Sequence, residues 1–406
     1  MRIVIIGAGH AGGTAAALLR QYGFDGEIIL IGEESVEPYQ RPPLSKAFLK
    51  GSSDEEDLKL KSDNYYLENK IELCLGTCVE RIDREAKTIH YGDGESCSYD
   101  KLIIATGARP RPLPIAENIL GIYSLRNIED AKSIRESIKP GKTLAVIGGG
   151  YIGLEIAASA RAIGADVVVI EREDRVLARV ASEPLSKFFE SYHISKGVEF
   201  ITDASVSAVK TKKNGKKVAA VKLESGRVIQ CDFCVVGIGA IVCADIAIDA
   251  GLDCEQGILV DENSQTSDPS IYAIGDVTLR PLPLYENCLR RLESVGNALE
   301  QAKQAACHIL GRPHPPQEVP WFWSDQYDIK LQIAGMPIGV DNILIRGSIS
   351  EAKFAVFHLK GTIIKAVEAV NSPAEFMMGR KLIGAGKAVN REILQNPAIS
   401  MRDVCE

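Results

Sequence analysis

One pattern of residues occurs twice in this chain, with about 140 residues between the two copies. In each copy an apolar run typical of a buried parallel strand leads into a glycine-rich turn, an Ala- and Leu-rich helical segment, and a second apolar run that ends at an acid. The first copy starts with Arg2–Ile6 and ends at Glu33, and the second starts with Thr143–Ile147 and ends at Glu171. The repeat predicts an α/β fold with two Rossmann-like dinucleotide-binding domains.

The three glycines of each turn have separate physical tasks. The first permits a tight turn, the second lets the backbone approach a pyrophosphate, and the third lets the helix pack closely on the strand. The unsatisfied N–H groups at the N-terminus of the helix then bind the phosphates. These glycines are Gly7, Gly9 and Gly12 in the first copy, and Gly148, Gly150 and Gly153 in the second.

The acid that ends the second strand of each copy can accept hydrogen bonds from an adenosine ribose. Glu33 has this position in the first copy and Glu171 has it in the second. A carboxylate opposes a 2′-phosphate, so the second site is expected to take NADH rather than NADPH. Arg172 and Arg175 follow closely and could attract such a phosphate, which leaves NADPH open as an alternative.

Charge and hydropathy exclude several classes of protein. The chain has 54 acidic and 47 basic side chains, a formal net charge of −7, and no basic tail that would bind nucleic acid. No run approaches the ~18 apolar residues that a membrane-spanning helix needs, so no membrane partner is expected. The first apolar strand starts at Arg2 and leaves no room for a targeting segment, which predicts a cytoplasmic protein.

The ten cysteines do not have the spacing of a secreted disulfide framework. Cys231 and Cys234 form the one Cys-x-x-Cys, within an apolar run at residues 228–236 that predicts a single strand. Residues three apart on a strand point to opposite faces, so neither a disulfide nor a zinc site is expected there. No metal site is predicted.

A protein with two dinucleotide sites is most simply a flavoprotein in which NADH reduces FAD. Two more apolar runs that end in small residues, 101–108 and 270–276, resemble strands of the glutathione-reductase-like pyridine-nucleotide flavoproteins. In that group the Gly-Asp pair, here Gly275 and Asp276, holds the ribityl chain of FAD. Its disulfide reductases carry redox-active cysteine after the first βαβ unit. This chain has no cysteine before Cys74, which removes thiol chemistry at the flavin.

Four segments closely resemble the oxygenase-coupled NADH-dependent ferredoxin reductases, the family of the putidaredoxin and rhodocoxin reductases. They are residues 41–46 (Arg-Pro-Pro-Leu-Ser-Lys), 148–155, 291–295 and 320–327 (Pro-Trp-Phe-Trp-Ser-Asp-Gln-Tyr). The resemblance covers essentially the whole chain and implies an additional C-terminal α+β domain. It also implies that FAD, once reduced by NADH, passes single electrons to a [2Fe-2S] ferredoxin that supplies a cytochrome P450 or a ring-hydroxylating oxygenase.

The glycine turns and the resemblance together predict the residues at each cofactor. The residues expected at FAD are Gly7, Gly9, Ala11, Gly12, Glu33, Arg41, Lys46, Val79, Ala105, Thr106, Gly107, Arg126, Asp276, Val295 and Trp321. The residues expected at NADH are Gly148, Gly150, Tyr151, Ile152, Gly153, Glu155, Glu171, Gly237 and Gly239.

Lys46 and Glu155 are the predicted catalytic pair. Lys46 is expected to open the helix that follows the Pro-Pro turn, and Glu155 lies two residues beyond the last glycine of the second turn. In the family the lysine approaches the flavin and the glutamate pairs with it, and a cation there can stabilise negative charge on the reduced ring. The alternative is an ion pair between domains with no redox role.

The only two tryptophans and several basic residues are candidates for the surface that meets the ferredoxin. Strand alternation places Trp321 and Trp323 on one face and Phe322 on the other, so the indoles either pack in a core or, as the resemblance implies, cover the flavin edge. Ferredoxins of this type are acidic, so a basic docking face is expected. Its candidates, each of which is otherwise an ordinary solvated charge, are Arg290, Arg291, Lys303 and Lys330.

Proline-rich joints at residues 109–114 and 311–316 predict the domain boundaries. The FAD domain is expected at residues 1–108 and 241–315, the NADH domain at 109–240 and the α+β domain at 316–406. Two other functions stay open at this point. One is an NADH-dependent reductase of rubredoxin or of a small quinone or ascorbyl-radical acceptor, and the other, from a different class, is a signalling flavoprotein similar to apoptosis-inducing factor.

Overall fold

The structure is a computed structural model that describes residues 1–92, 94–212 and 215–405; Glu406, the end of the predicted C-terminal domain, lies outside these ranges. The strands, numbered in chain order, are β1 (Arg2–Ile6), β2 (Glu27–Gly32), β3 (Ile71–Leu75), β4 (Val79–Asp83), β5 (Thr88–Tyr91), β6 (Glu95–Ser98), β7 (Lys101–Ile104), β8 (Ala108–Pro110), β9 (Ile122–Tyr123), β10 (Thr143–Ile147), β11 (Asp166–Ile170), β12 (Val198–Ile201), β13 (Val206–Thr211), β14 (Val218–Leu223), β15 (Val228–Gln230), β16 (Phe233–Val236), β17 (Ala240–Val242), β18 (Ile258–Leu259), β19 (Ile271–Ala273), β20 (Thr278–Leu282), β21 (Cys288–Arg290), β22 (Trp321–Gln326), β23 (Ile329–Gly335), β24 (Asn342–Ser348), β25 (Lys353–Lys360) and β26 (Ile363–Val370).

The α-helices contain fewer residues in total than the strands, and two of them follow the glycine turns. They are α1 (His10–Gln21), α2 (Tyr65–Glu68), α3 (Ile128–Ser137), α4 (Tyr151–Ile163), α5 (Glu183–Ser195), α6 (Asp245–Asp249), α7 (Val295–Ile309), α8 (Pro373–Ala385) and α9 (Arg391–Gln395). Within the described ranges, none of these helices combines the length and the apolar character needed to cross a membrane.

The chain divides into two compact units, each built from three segments. Unit 1 consists of Met1–Gln40, Glu56–Arg109 and Ile241–Phe322. Unit 2 consists of Arg41–Glu55, Pro110–Ala240 and Trp323–Glu406. The three-domain division and its boundaries remain a prediction.

The centre of unit 1 is a parallel sheet with the strand order β19-β7-β1-β2-β3. The side chains of Ile3, Val4 and Ile5 on β1 are completely buried, because helices and strands cover both faces of the sheet. Helix α1 returns along one face and packs against α7. Since β1 and β7 are adjacent and parallel, the turn that follows β1 lies beside the end of β7.

Unit 2 repeats this arrangement with a second parallel sheet, ordered β12-β11-β10-β16-β9. Helix α4 packs against β10 and β11, and a small antiparallel sheet, β13-β14-β15, shares an apolar core with the other face. The two parallel sheets with their helices confirm the predicted duplication of the βαβ unit.

The C-terminal part of the chain forms an antiparallel sheet, ordered β22-β23-β26-β25-β24. Helix α8 packs against β26 and β23. Most apolar residues of β23, β25 and β26 are buried, and five of them join the core that also contains residues of α4 and α5: Ile329, Leu331, Phe354, Val356 and Val370. This arrangement is the α+β domain that the sequence predicts.

Two local predictions are wrong. Lys46 does not open a helix: Pro42–Ser45 form a single 3₁₀ turn, and Lys46 follows that turn with its N–H donating to the carbonyl of Pro43. The run at residues 228–236 is not one strand, because the backbone N–H of Asp232 turns to the carbonyl of Thr143 and separates β15 from β16. The Sγ atoms of Cys231 and Cys234 therefore lie 3.5 Å apart on the same side, as two buried free thiols, rather than on opposite faces.

Candidate functional site

The first glycine turn joins β1 to α1 in unit 1. Gly7 has a φ of +110°, and a Cβ there would lie 2.3 Å from the carbonyl oxygen of Ala105 at the end of β7. A Cβ on Gly12 would lie 2.0 Å from the carbonyl oxygen of Gly7, so α1 begins in direct contact with the turn. Gly9 precedes α1, whose first turn has no side-chain cap and no acid among its residues. The N-terminus of a helix binds anions through its backbone N–H groups, so the turn fits the pyrophosphate of FAD.

The second turn, which joins β10 to α4 in unit 2, has the same construction. Gly148 also has a φ of +110°, and its Cβ would lie 2.4 Å from the carbonyl oxygen of Gly237. A Cβ on Gly153 would lie 2.2 Å from the carbonyl oxygen of Gly148. By contrast, nothing among the described atoms lies within 4 Å of the Cβ position of Gly150. That open space at the N-terminus of α4 is what the close approach of a pyrophosphate requires, so the turn fits NADH.

Glu171 directly braces the second turn. The backbone N–H of Gly149 donates to its Oε2 at 2.6 Å, and the backbone N–H of Glu173 donates to its Oε1 at 2.9 Å. The two arginines that could favour a 2′-phosphate have other partners: exposed Arg172 pairs with Glu173 at 2.9 Å, and Arg175 donates to two backbone carbonyls of residues 178 and 181. The arrangement thus leaves the carboxylate of Glu171, rather than a free guanidinium, at the expected ribose position.

Several residues expected at FAD come together in unit 1. Thr106 donates its hydroxyl to the carbonyl oxygen of Cys243 at 2.6 Å. Gly275, at a φ of +82°, lies against Ala11, since a Cβ there would be 3.1 Å from the Ala11 methyl. Asp276 belongs to the 3₁₀ turn Gly275–Val277. The structure therefore places the Gly-Asp turn beside the start of α1.

The indole of Trp321 lies against the beginning of α7. A Cβ on Gly296 would be 2.9 Å from Trp321 Nε1, and Val295 is the first residue of that helix. Trp321, Phe322 and Trp323 are all half-buried, so the chain holds both indoles at partly open positions rather than in a closed core. Glu33 is exposed, and Val79 is buried at the start of β4.

A buried polar group beside the Gly-Asp turn was not predicted. Gln301 is completely buried, and its Oε1 accepts from the N–H of Gly275 at 2.8 Å, from Thr278 Oγ1 at 2.9 Å and from Asn297 Nδ2 at 3.0 Å. On the same helix Glu300 forms a buried ion pair with Arg280 at 2.8 Å. The signal in the sequence is a row of polar residues three and four apart on α7, which by itself predicts a solvated face.

Lys46 and Glu155 meet in unit 2. Lys46 Nζ lies 2.7 Å from Glu155 Oε2, and the two side chains are 16% and 2% exposed. The hydroxyls of Ser45 and Ser324 donate to the same carboxylate at 2.5 and 2.6 Å. Lys46 Nζ also donates to the carbonyl of Pro42 at 3.1 Å. Three donors, one of them an ammonium, thus offset the cost of burying the negative charge.

The backbone around this pair is held by α4. Glu155 and Ser159 are four residues apart and share a face of that helix, and Ser159 Oγ donates to the carbonyl of Ser45 at 2.7 Å. Nearby, Arg41 donates to the carbonyl oxygen of Arg126 at 2.6 Å. The sequence correctly pairs Lys46 with Glu155, although the pairing is carried by a 3₁₀ turn rather than by a helix.

Tyr151 opens α4 and lies near two carboxylates. Burial, and secondarily the negative charges of Glu368 and Glu155, raise the pKa of its phenol well above the usual value. Its hydroxyl therefore keeps its proton throughout the physiological pH range. The neighbouring Ile152 is exposed, which places an apolar side chain at the open side of the second turn.

The candidate residues are distributed over both units. Arg41, Lys46 and Arg126, which are expected at FAD, belong to unit 2, and the other residues expected at FAD belong to unit 1. All the residues expected at NADH belong to unit 2, including exposed Gly239, whose carbonyl accepts from the N–H of Arg111 at 2.9 Å.

The candidate docking residues also belong to different units. In unit 1, Arg290 and Lys303 are exposed, and Arg291 is paired with Glu293. Exposed Lys330 belongs to unit 2. The described residues contain no group of three or more His, Cys, Asp or Glu side chains arranged to hold a metal ion.

Comparison with known proteins shows what this chain is similar to. A family model described as pyridine nucleotide-disulphide oxidoreductase matches residues 1–302, and one described as reductase C-terminal matches residues 321–405. A probable ferredoxin reductase, CtmF, of Castellaniella defragrans is 46% identical over 401 residues, which are 98% of this chain and 98% of that protein. Rubredoxin-NAD(+) reductase of Pseudomonas putida is 41% identical over 374 residues, which are 92% and 96% of the two chains. Among solved structures, the covalent putidaredoxin reductase–putidaredoxin complex contains a chain that matches with a TM-score of 0.97 and 39% identity, over 99% of this chain and 97% of that one.

Proposed function

This chain belongs to the pyridine nucleotide-disulphide oxidoreductase family, and from that premise we propose that it is a ferredoxin reductase. NADH reduces FAD on this protein, and the electrons pass one at a time to a [2Fe-2S] ferredoxin that supplies a cytochrome P450 or a ring-hydroxylating oxygenase. The similarity to a probable ferredoxin reductase and to a putidaredoxin reductase solved with putidaredoxin supports this acceptor.

The observation that carries the proposal is the duplication of one built turn on two parallel sheets. In both turns the first glycine has a φ of +110° and touches the carbonyl at the end of the neighbouring strand, and the third glycine touches the first. Each turn delivers the N-terminus of an uncapped helix to its open side. Two sites for the pyrophosphate of a dinucleotide follow, one for FAD in unit 1 and one for NADH in unit 2.

FAD, when bound, supplies the chemistry that accepts an electron pair from NADH and releases single electrons. The chain supplies position and charge. The N-terminus of α1 binds the FAD pyrophosphate, and the N-terminus of α4 binds that of NADH. Glu171 accepts from the ribose and disfavours a 2′-phosphate. Lys46 presents an ammonium whose charge stabilises added negative charge, and Glu155 holds that ammonium in place at 2.7 Å.

The cysteines support a route without thiols and a cytoplasmic location. The first cysteine of the chain is Cys74, on β3, so the segment after the first βαβ unit offers no thiol to take electrons from the cofactor. All ten cysteines are free thiols, which suits the reducing conditions of the cytoplasm. Cell fractionation with an antibody to the protein tests the location, and recovery outside the cytoplasmic fraction would contradict it.

A second acceptor is favoured by one specific observation. A relative with 41% identity over nearly its whole length is a rubredoxin-NAD(+) reductase. The two dinucleotide sites would be the same in both cases, because they serve only the donor and FAD. The acceptor is decided by the surface that meets the carrier.

Rapid mixing under anaerobic conditions tests the proposal. The holoprotein is first reduced with NADH, and the absorbance of its flavin is followed; it is then mixed with a [2Fe-2S] ferredoxin, with rubredoxin or with a quinone. Rapid oxidation by a ferredoxin, with slow oxidation by the other two, is the expected result. If NADH leaves the flavin oxidised, the dinucleotide assignment is wrong, and if every ferredoxin reacts slowly, only the choice of acceptor is wrong.

A further inference from the structure

A chain of buried hydrogen bonds continues from the carboxylate of Glu155 into the interior of unit 2. Ser324 Oγ donates to Glu155 Oε1 at 2.6 Å, and Gln326 Nε2 donates to Ser324 Oγ at 3.1 Å. His193 Nε2 and Gln326 Oε1 are 2.7 Å apart, and the hydroxyl of Tyr327 lies 3.4 Å from His193 Nδ1. The side chains of Glu155, Ser324, Gln326 and His193 are each 2% exposed or less. From Glu155 to His193 this chain of hydrogen bonds is therefore out of reach of solvent, and its Tyr327 end is half-buried.

The partners fix the direction of every hydrogen bond. An amide nitrogen only donates, so Ser324 Oγ accepts from Gln326, and the single hydroxyl proton of Ser324 is directed to Glu155. The amide oxygen of Gln326 only accepts, so the proton of the His193 ring is on Nε2. Burial lowers the pKa of His193 to about 4, so the ring is neutral at physiological pH and its Nδ1 accepts from Tyr327. Every donor thus points toward the carboxylate of Glu155.

The secondary structure explains why these residues meet. Ser324 and Gln326 are two residues apart on β22 and so share one face, which is the buried one. His193 lies in the last turn of α5, and Glu155 lies in the second turn of α4. The chain of hydrogen bonds consequently connects two helices through one strand, and it ends at the oxygen of Glu155 that Lys46 does not contact.

We propose that His193 and Gln326 are positioning residues, which act through Ser324 to hold the carboxylate of Glu155 against Lys46 and so fix the place of the lysine charge. The inference rests on the proposed function, since it concerns the charge that Lys46 presents to FAD. With Ser324 donating to Oε1, only Oε2 is left for Lys46. Without that donor, Oε1 competes for the ammonium and draws it toward the interior of unit 2. An amide in the chain keeps its own protons, so the chain orients the carboxylate and does not conduct protons.

Substitutions of residues in this chain of hydrogen bonds test the positioning role. His193→Phe and Gln326→Leu remove one link each at similar volume, whereas His193→Gln keeps a donor that can reach Gln326. Tyr192→Phe is the matched control, because Tyr192 also lies on α5 and bonds to Asp328 in the turn after β22, outside the chain. The measurements are the rate constant for flavin reduction at saturating NADH, the midpoint potential of the flavin, the flavin content and the thermal unfolding temperature.

We expect His193→Phe and Gln326→Leu to slow flavin reduction about fivefold, the factor that corresponds to the loss of one hydrogen bond. The midpoint potential should also fall, because a displaced ammonium would stabilise the negative charge added to FAD less well. His193→Gln and Tyr192→Phe should match the parent in both measurements. In a Ser324→Ala background, His193→Phe should have no further effect, because its only route to Glu155 is already cut.

Any of three results would overturn the inference. Tyr192→Phe could have the same effect as His193→Phe, or His193→Phe could slow flavin reduction further in the Ser324→Ala background. The third is that His193→Phe and Gln326→Leu leave both the rate and the midpoint potential at the parent values. If His193→Phe does not fold, Gln326→Leu in the same background gives the same comparison. Failure of the parent protein to be reduced by NADH would instead refute the proposed function, so the two failures are distinguishable.

Discussion

Replacing Gly150 by alanine should weaken NADH binding roughly 10- to 100-fold while leaving the fold intact. Gly150 has φ −78° and ψ 178°, an extended conformation that alanine adopts freely, and its Cβ would have no described atom within 4 Å. As the residue before α4, alanine is a poorer helix cap than glycine, which costs less than about 1 kcal/mol. The folded protein should therefore tolerate the new methyl group.

The bound dinucleotide should not tolerate it. The methyl group would occupy the open space at the N-terminus of α4, through which a pyrophosphate must approach the backbone N–H groups. Loss of one hydrogen bond to a charged group costs about 1.5–3 kcal/mol, so the dissociation constant for NADH should rise roughly 10- to 100-fold. FAD content should remain at the parent level, since the FAD turn is a separate structure in unit 1.

Gly148→Ala is the contrasting variant, because its Cβ would lie 2.4 Å from the carbonyl oxygen of Gly237 at a φ of +110°. Backbone strain of this kind costs on the order of 1–3 kcal/mol before the steric overlap is counted, so this variant should unfold at lower temperature or fail to accumulate. Equilibrium titration with NADH or NAD⁺, flavin absorbance and thermal unfolding give the three readouts. Parent-like affinity in Gly150→Ala, or parent-like stability in Gly148→Ala, would refute the reasoning about this turn.

Four further outcomes are expected. Glu171→Ala should lower kcat/KM for NADH more than for NADPH, because it removes the ribose acceptor and the brace of the turn; an unchanged ratio of the two would show that Glu171 does not select the donor. Lys46→Ala should slow flavin reduction by NADH, and a parent-like rate together with parent-like FAD content would leave the lysine with a structural role only. Arg290→Glu should weaken ferredoxin binding in low salt and have a smaller effect in high salt, which the salt dependence of the acceptor KM measures. Burial lowers the pKa of His193 to about 4, so below about pH 6.5 the unfolded protein binds a proton at this residue that the folded protein does not bind. The free energy of unfolding should therefore be highest above pH 6.5 and fall by up to about 3 kcal/mol as the pH is lowered to 4. The denaturation midpoint of His193→Gln should not show this fall.

The glycine turns are the part of the site that could be predicted, because each glycine answers a local requirement of the backbone. Gly7 and Gly148 need a positive φ, and the third glycines need contact distance to the first. Such requirements leave fixed spacings in the sequence. A strand at β22 could also be predicted, and its alternation places Phe322 on the face opposite the two tryptophans.

Groups whose environment is set by distant segments could not be predicted. Gln301 and its polar neighbours on α7 have the spacing of a solvated face, yet α7 packs on α1 and buries them against the Gly-Asp turn. Ser324 and Gln326 lie on the buried face of β22, where the alternation pattern leads one to expect apolar residues. Cys231 and Cys234 meet only because Asp232 bonds to Thr143 and breaks the strand between them. In each case a tertiary contact overrides the local pattern.

The order of segments along the chain also affects how the protein is made. Unit 1 needs residues from both ends of a 322-residue stretch, and α1, near the N-terminus, packs on α7, which begins about 285 residues later. At typical rates of translation, on the order of 5–20 residues per second, α1 waits roughly 15–60 s for its partner. Throughout that time the side of α1 that packs on α7 lacks this partner. A polypeptide that ends before residue 295 therefore lacks the part of the unit 1 core that α7 supplies, which includes Ala298, Ala302, Ala305 and Ala306.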